Sequence, residues 1–293
     1  GCLYAGAVAV PAYPPDPTRP DRLARTLPRL LAIVNDCAPE LVLTSSLILS
    51  MTPFLFSHAQ ALEAIPWAAS DEWARGDPAA FEPPPIAHED LAFIQYTSGS
   101  TATPKGVVIG HDNLLANLRQ LQSVRRGGQH TRFLIWPPFY HDLGLVGGIM
   151  LTAYLGAQAF LMSPMDFLRR PARWLQAISR YRADLSAGPN FALDLCARKL
   201  TPEDLKGLDL SCWDMVLIGA EPLHLDTLRR FQALLQPYGL PPNMLVQAYG
   251  LAEAVLGCTA GSGDEPYRYL HVNAGALREG LVVRDAAGRS IVS

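Results

Sequence analysis

Short apolar runs of strand length alternate with amphipathic runs of helical period along most of this chain, and that alternation leaves few architectures open. Leu41 to Thr44 and Leu91 to Tyr96 read as strands. His111 to Arg125 puts Leu114, Leu115, Leu118, Leu121 and Val124 on one face of a helix, and Phe133 to Trp136 reads as the next strand. Pro171 to Arg182 begins with the residue favoured in a first helical turn and lines up Trp174, Leu175, Ile178 and Tyr181 on one side. Met215 to Ile218, Leu225 to Tyr238 and Leu245 to Ala248 repeat the order strand, helix, strand, with Gly239 and Pro241 stopping the helix. Strands that alternate with helices pack as parallel sheets covered by those helices. The expected fold class is therefore α/β, with mostly parallel sheets flanked by helices and a β-rich segment near the C-terminal end.

Composition narrows the classes of partner. Of 293 residues, 49% are hydrophobic and 17% charged, enough to bury a sizeable core and too little charge for a disordered chain. Lys and Arg total 24 against 27 Asp and Glu, a net charge of −3, so no basic excess favours nucleic acid. Leu143 to Met162 carries no charge, but Gly144, Gly147, Gly148 and Gly156 interrupt it and Tyr154 and Gln158 are polar. It reads as a buried helix to about Leu155, a stop at Gly156 and a buried strand to Met162, so no transmembrane segment is expected. Cys2, Cys37, Cys196, Cys212 and Cys258 are odd in number, widely spaced and form no CxxC. They point to a reducing compartment, the cytoplasm, without a disulfide framework or a zinc site.

The Pro-rich segment 78–88 is the clearest linker, joining α/β sub-parts at 1–77 and 89–260 of one domain. Residues 261–293 read as the start of a β-rich appendage, with strands at Arg268 to Val272 and Leu281 to Arg284. The chain opens on Gly rather than Met, and its opening is apolar without a basic leader. A piece cut at both ends is expected.

Chemistry concentrates in Tyr96 to Gly106, YTSGSTATPKG. Thr97, Ser98, Gly99, Ser100 and Thr101 are small or hydroxylated, so backbone N–H and side-chain O–H groups can surround phosphate oxygens, and Lys105 adds a point charge. It is not a Walker A loop, because Pro104 precedes the lysine and Gly106 follows it. An ordinary Ser/Gly/Pro surface loop is the alternative, set against eleven ordered positions.

YTSGSTATPKG resembles the phosphate loop of adenylate-forming enzymes: acyl-CoA synthetases, peptide-synthetase adenylation domains, luciferases and fatty acyl-AMP ligases. Ala102 stands where that family usually has Gly. QAYGLAEA, Gln247 to Ala254, resembles the family's YGxTE motif, with Ala252 in place of Thr. The resemblance implies that Tyr249, beside Gly250, stacks on adenine and that Glu253 holds Mg²⁺; alone, Glu253 reads as a helix-start carboxylate. Gly219, Ala220 and Glu221, in GAEP, resemble the adenine-side loop. PPFYHDLG resembles the segment beside the acyl pocket, with His141 near the reacting carboxylate or, otherwise, a structural His at a helix start. SAGPNF resembles an acyl-site loop, with Gly188 and Asn190 lining it; Asn190 reads equally well as a helix cap.

YHDLGL, GPNFAL and IGAEP together look most like fatty acyl-AMP ligases. That resemblance implies the large N-terminal domain of an adenylate-forming enzyme. It also implies ATP and Mg²⁺ as cofactors, a medium- or long-chain fatty acid as substrate, and acyl-AMP with pyrophosphate as products. Lys105, His141 and Glu253 would be catalytic, and an acyl carrier protein would take the acyl group. An insertion that obstructs CoA is expected at or beside Tyr267 to Ile291. The family's ribose-binding Asp and the Lys of its small C-terminal domain have no match here, so weak binding and poor adenylation are expected. The clusters Arg125–Arg126, Arg169–Arg170 and Arg229–Arg230 read as solvated helix faces, any of which could steer an acidic carrier. The alternatives are a long-chain acyl-CoA synthetase and, favoured by Ala102 and Ala252, a non-catalytic binding module of the same fold.

Overall fold

The structure, a computed structural model, describes residues 1–15, 20–72, 78–97, 104–124, 128–286 and 289–292. The chain divides into two compact units, Gly1–Asp112 and Asn113–Ser293.

In the first unit the helix Pro20–Cys37 turns Leu23 and Leu27 onto Leu55, Ala59 and Leu62. Strands β1 (Val42–Thr44) and β2 (Trp67–Ala69) pair in parallel beside it. Strands β3 (Leu91–Thr97) and β4 (Lys105–Gly110) form an antiparallel hairpin. The N–H of Ile94 donates to the carbonyl of Ala9 at 2.8 Å, and the N–H of Ala9 donates to Ala92 at 3.3 Å. These bonds tie the strand after segment 78–88 to residues before it. The division therefore falls at Asp112, inside the helix His111–Val124, and not at the expected linker.

The second unit is built on a six-stranded sheet. Its strands are β5 (Arg132–Ile135), β6 (Gln158–Leu161), β7 (Leu185–Gly188), β8 (Met215–Ile218), β9 (Leu245–Gly250) and β10 (Gly257–Ala260). The order is β10-β9-β8-β7-β5-β6, with every neighbouring pair parallel except β10 against β9. All of β7 is buried, as a parallel strand covered on both faces must be. The helices Ala172–Tyr181 and Leu225–Leu235 fill one core with Trp174, Phe231 and the loop residue Trp213, all fully buried. The indole N–H of Trp174 donates to Ser186 Oγ at 3.0 Å, and that hydroxyl donates to the Leu134 carbonyl at 2.7 Å. A buried hydroxyl in the sheet is thus satisfied on both sides.

The uncharged stretch Leu143 to Met162 folds as a helix, a glycine stop and a strand, as expected, but the strand is not buried: β6 is the edge of the sheet and Leu161 is 57% exposed. A helical turn Asp142–Gly144 leads into a π-helix Leu145–Met150 and a short α-helix Leu151–Leu155; Gly156 stops it at φ +62° and β6 follows. Among the described residues no helix is long and apolar enough to cross a membrane. One expected strand is corrected. Leu281 to Arg284 is not a strand: β11 (Tyr269–Val272) is paired along one edge by β12 (Arg289–Val292), and the run 281–284 lies beside its other edge without forming a ladder. Only the Val272–Arg284 bridge remains for the earlier run, and Val282 is 66% exposed.

Replacing Trp174 by Ala should cost about 4 kcal/mol, through a large cavity and the loss of the Ser186 donor. Urea unfolding followed by tryptophan fluorescence checks this, and a cost near zero would remove Trp174 from the core.

Candidate functional site

In the order β6-β5-β7-β8-β9, the connection leaving β5 runs to β6 on one side and the connection leaving β7 runs to β8 on the other. Such a reversal opens a crevice beyond the carboxyl ends of the strands, where α/β sheets bind ligands. The segments that leave this edge follow β5, β7, β8 and β9. These segments and the strand ends they leave carry His141, then Gly188 (the last residue of β7) and Asn190, then Gly219, Ala220 and Glu221, then Tyr249 and Gly250 (the last two of β9) and Glu253. The sheet brings these sequence-predicted residues to one edge of the second unit.

His141 begins the helical turn Asp142–Gly144. Its Nδ1 lies 2.7 Å from Asp142 Oδ1 and 3.2 Å from the Leu143 N–H. One nitrogen cannot donate and accept at once. Protonated, it donates to Asp142; deprotonated, it accepts from Leu143. The hydrogen bond to Asp142 holds the imidazolium and pushes the pKa up, against the opposing effect of burial. The turn is clamped from below: a Cβ on Gly144 would sit 2.3 Å from the Pro138 carbonyl oxygen.

Asn190 and Glu221 latch two of the segments reciprocally. The Phe191 N–H donates to Glu221 Oε1 at 2.5 Å, and the His224 N–H donates to Asn190 Oδ1 at 3.1 Å. Asn190 is the first residue of its helix and is buried, so its side chain serves the neighbouring segment and does not cap its own helix. Glu221 satisfies a free N–H of that helix and places negative charge at its positive end. Ala220 takes a left-handed φ of +64°, a conformation costing a residue with a Cβ roughly 1–2 kcal/mol. Gly219 is demanded by packing, since its Cβ would meet the Ala248 carbonyl oxygen at 2.4 Å.

Tyr249 is 64% exposed and lines an open cleft of about 700 Å³ with Glu221, Pro222, Gln247 and Arg268. Arg268 is paired with Glu265 at 2.7 Å. An exposed ring beside backbone polar groups suits a flat heteroaromatic base. Glu253 is exposed on a 3₁₀ turn, Ala252–Ala254, between the buried side chains of Ala252 and Val255. Val255 sits at φ +70°, and a Cβ on Gly250 would lie 1.7 Å from the Leu256 carbonyl oxygen. The described residues hold no group of three or more His, Cys, Asp or Glu able to bind a metal ion. One exposed carboxylate still fits Mg²⁺, which keeps waters and takes phosphate oxygens as its other ligands.

In the first unit Thr97 and Lys105 face each other across the β3–β4 hairpin. Ser98, Gly99, Ser100, Thr101 and Ala102 lie outside the described residues, as do Arg125 and Arg126. Arg170 pairs with Asp204 and Arg230 with Asp194, while Arg229 lies over the ring of Tyr269.

Sequence reasoning overlooked two residues. Asn117 holds Gly257 at both ends, its Nδ2 donating to the carbonyl at 2.8 Å and its Oδ1 accepting from the N–H at 3.2 Å. A polar residue on the apolar face between Leu114 and Leu118 was the available signal. Trp136, beside Gly188 after β5, is 3% exposed, and its indole N–H has no hydrogen-bond partner among the described residues.

The fold is that of an α/β protein with a mostly parallel sheet flanked by helices, and it matches the N-terminal domain of adenylate-forming enzymes. Residues 1–288 match the family model of the AMP-binding enzymes, and the chain belongs to that family. It is 42% identical over 287 residues to JamA, a medium-chain-fatty-acid–[acyl-carrier-protein] ligase of Moorena producens, covering 97% of this chain and 48% of that protein. It is 38% identical over 273 residues to the 4-hydroxyphenylalkanoate adenylyltransferase of Mycobacterium tuberculosis, covering 91% and 43%. The crystal structure of a fatty acyl-adenylate ligase from L. pneumophila, in complex with acyl adenylate and pyrophosphate, superposes with a TM-score of 0.88 at 35% identity. That superposition covers 100% of this chain and 50% of the other. The chain spans about half the length of the curated relatives it matches.

Gly250→Ala should disrupt the turn between β9 and β10, because the clash is with backbone; a large loss of thermal stability is the expected reading. The His141 ring should titrate above its ordinary 6.5. A raised folded pKa means that the ring adds stability below the unfolded value and loses that contribution as pH rises through the folded one. NMR titration should show the raised midpoint and its fall in Asp142→Asn.

Proposed function

We propose that the chain is the AMP-binding large domain, residues 1–293, of a fatty acid–AMP ligase working in the cytoplasm. It activates a medium- or long-chain fatty acid with ATP and hands the acyl group to an acyl carrier protein. The observation that carries this reading is the superposition, along the whole chain, on a ligase crystallised with acyl adenylate and pyrophosphate. JamA supports the medium-chain acid and the carrier protein.

A carboxylate is a poor acyl donor because oxide would have to leave. Its oxygen instead attacks the α-phosphorus of ATP, the bond from that phosphorus to the bridging oxygen of pyrophosphate breaks, and acyl-AMP remains. The protein positions and neutralises, with little covalent work. Thr97 to Thr101 and Lys105 take the phosphates. Tyr249 stacks on adenine above the Gly219–Ala220–Glu221 segment. His141, biased toward imidazolium by Asp142, holds the acid's carboxylate, and Gly188 and Asn190 shape the acyl site. Glu253 would hold Mg²⁺, which supplies charge neutralisation on the phosphates. Each methylene of the acid buried contributes about 0.8 kcal/mol.

The test incubates the chain with Mg-ATP, dodecanoic acid and CoA and identifies products by mass spectrometry. Acyl-AMP with CoA untouched is expected, and acyl-CoA would replace the reading with an acyl-CoA synthetase. Binding of both ligands with neither product would mean either that the rest of the protein is required or that this is a non-catalytic module, for which the missing hydroxyl at Ala252 speaks, and the same assay on the longer protein decides between them. Glu253→Gln should slow acyl-AMP formation by about 100-fold at saturating substrates. Tyr249→Ala should raise the KM for ATP about tenfold through lost stacking.

A further inference from the structure

The β3–β4 hairpin is a two-stranded ribbon, and such ribbons are marginal by themselves. Its far end is tied down where Ile94 bonds to Ala9 and where the His111 N–H donates to the Asp90 carbonyl at 3.0 Å. The end where residues 98–104 join the two strands carries the pairs Tyr96–Gly106 and Thr97–Lys105. Terminal pairs fray first, so something must hold this end if Thr97 and Lys105 are to keep one geometry.

Tyr96 supplies that hold. Tyr96 is 5% exposed and its ring lies against Gly106, where a Cβ would meet the ring at 3.0 Å and Ile94 at 2.8 Å. Its hydroxyl donates to Asp36 Oδ2 at 2.5 Å, across 60 positions of sequence. Asp36 stands in the last turn of the helix Pro20–Cys37, which has no basic residue there. A carboxylate at the negative end of a helix is unfavourable, so the position breaks a local rule for the sake of a bond to another element. Burial first, and then the bond to Asp36, push the Tyr96 hydroxyl far up, which keeps it a donor at all working pH values. The neighbouring Cys37 thiol is also pushed up, chiefly by burial, and adds no thiolate against Asp36.

We propose that Asp36 and Tyr96 are positioning residues whose hydrogen bond holds the loop end of the hairpin, fixing Thr97 and Lys105 for the phosphates of ATP. The phosphate part rests on the function proposed above; the anchoring part does not. Neither residue touches the nucleotide in this scheme. Both act through the pair at the hairpin's end.

Hydrogen exchange followed by mass spectrometry on the whole chain tests the anchor without any ligand. Tyr96→Phe and Asp36→Ala should each speed exchange in peptides covering 95–97 and 105–107 by about tenfold, the size expected for one charge-assisted bond. Peptides from β7 should not change. Asp36→Asn keeps an acceptor and should restore most of the protection. Unchanged exchange at the hairpin in both variants overturns the proposal. The same variants, held well below their unfolding temperatures, should bind Mg-ATP about tenfold more weakly, and this loss should shrink in a Lys105→Met background. Losses that simply add to that of Lys105→Met would mean that the pair acts elsewhere, and would overturn the positioning role. A wild-type chain that binds no Mg-ATP while exchange responds as expected overturns the phosphate reading and leaves the anchor standing.

Discussion

Strand β7 is covered on both faces: Leu185, Ser186, Ala187 and Gly188 are all buried. A strand with no free face can present functional groups only at its ends, and the same holds for its parallel neighbours β5 and β8. That constraint places the candidate site residues of the second unit in the last positions of the strands and in the segments beyond the carboxyl edge. It also explains why the one hydroxyl inside the sheet, that of Ser186, is fully engaged, accepting from Trp174 and donating to Leu134. An unpaired polar atom there would cost roughly 1–3 kcal/mol, a large share of a domain's net stability.

The segments at that edge are fixed by close backbone approach as much as by hydrogen bonds. Gly144 against Pro138, Gly219 against Ala248 and Gly250 against Leu256 each leave no room for a methyl group. The reciprocal latch between Asn190 and Glu221 adds a polar connection between the turns that follow β7 and β8. Catalysis by positioning needs this kind of rigidity, because a group that must reorganise during the reaction gives back part of its stabilisation. Left-handed Ala220 and Val255 are the cost of two of these turns, and both lie within a few residues of groups expected to meet the nucleotide.

Much of this was legible in the sequence, and the reason is periodicity. Short apolar runs such as Met215–Ile218 and long amphipathic ones such as 225–235 have distinct periods, so the strand–helix alternation of the second unit stands out in the residue order alone. The site residues were legible because they sit in short motifs directly after those strands. What periodicity could not supply was pairing. Leu281 to Arg284 has the composition of a strand, yet it meets β11 at the Arg284 bridge alone, while Arg289–Val292 pairs along the other edge, a fact of register that no local pattern records. The same limit hid the division of the chain. Residues 78–88 look like a linker, but Ala9 reaches across them to β3, and a contact over such a separation leaves no mark on the intervening residues. Glu221 was found for its motif, and its capping of the helix at Phe191 was not, because the two lie in separate elements.

Charge placement separates what merely folds from what is arranged for an anionic ligand. Several surface carboxylates here sit beside arginines: Asp194 beside Arg198 and Arg230, Asp204 beside Arg170, Glu265 beside Arg268. Such pairs contribute little to stability and need no functional explanation. Asp142 is different, since it faces a histidine whose protonated form it favours at the edge of the sheet. Asp36 is different again, because it sits at the wrong end of its helix and is matched to a tyrosine hydroxyl instead of an arginine. In both cases the carboxylate acts on the protonation or position of a second residue, and that residue stands at or beside a motif expected to bind phosphate or carboxylate. An enzyme that must gather several negative charges in one place benefits from setting its cations and donors in advance. Neutral packing cannot do that, and it is these two unusual carboxylates, more than the number of ion pairs, that mark the surface as functional.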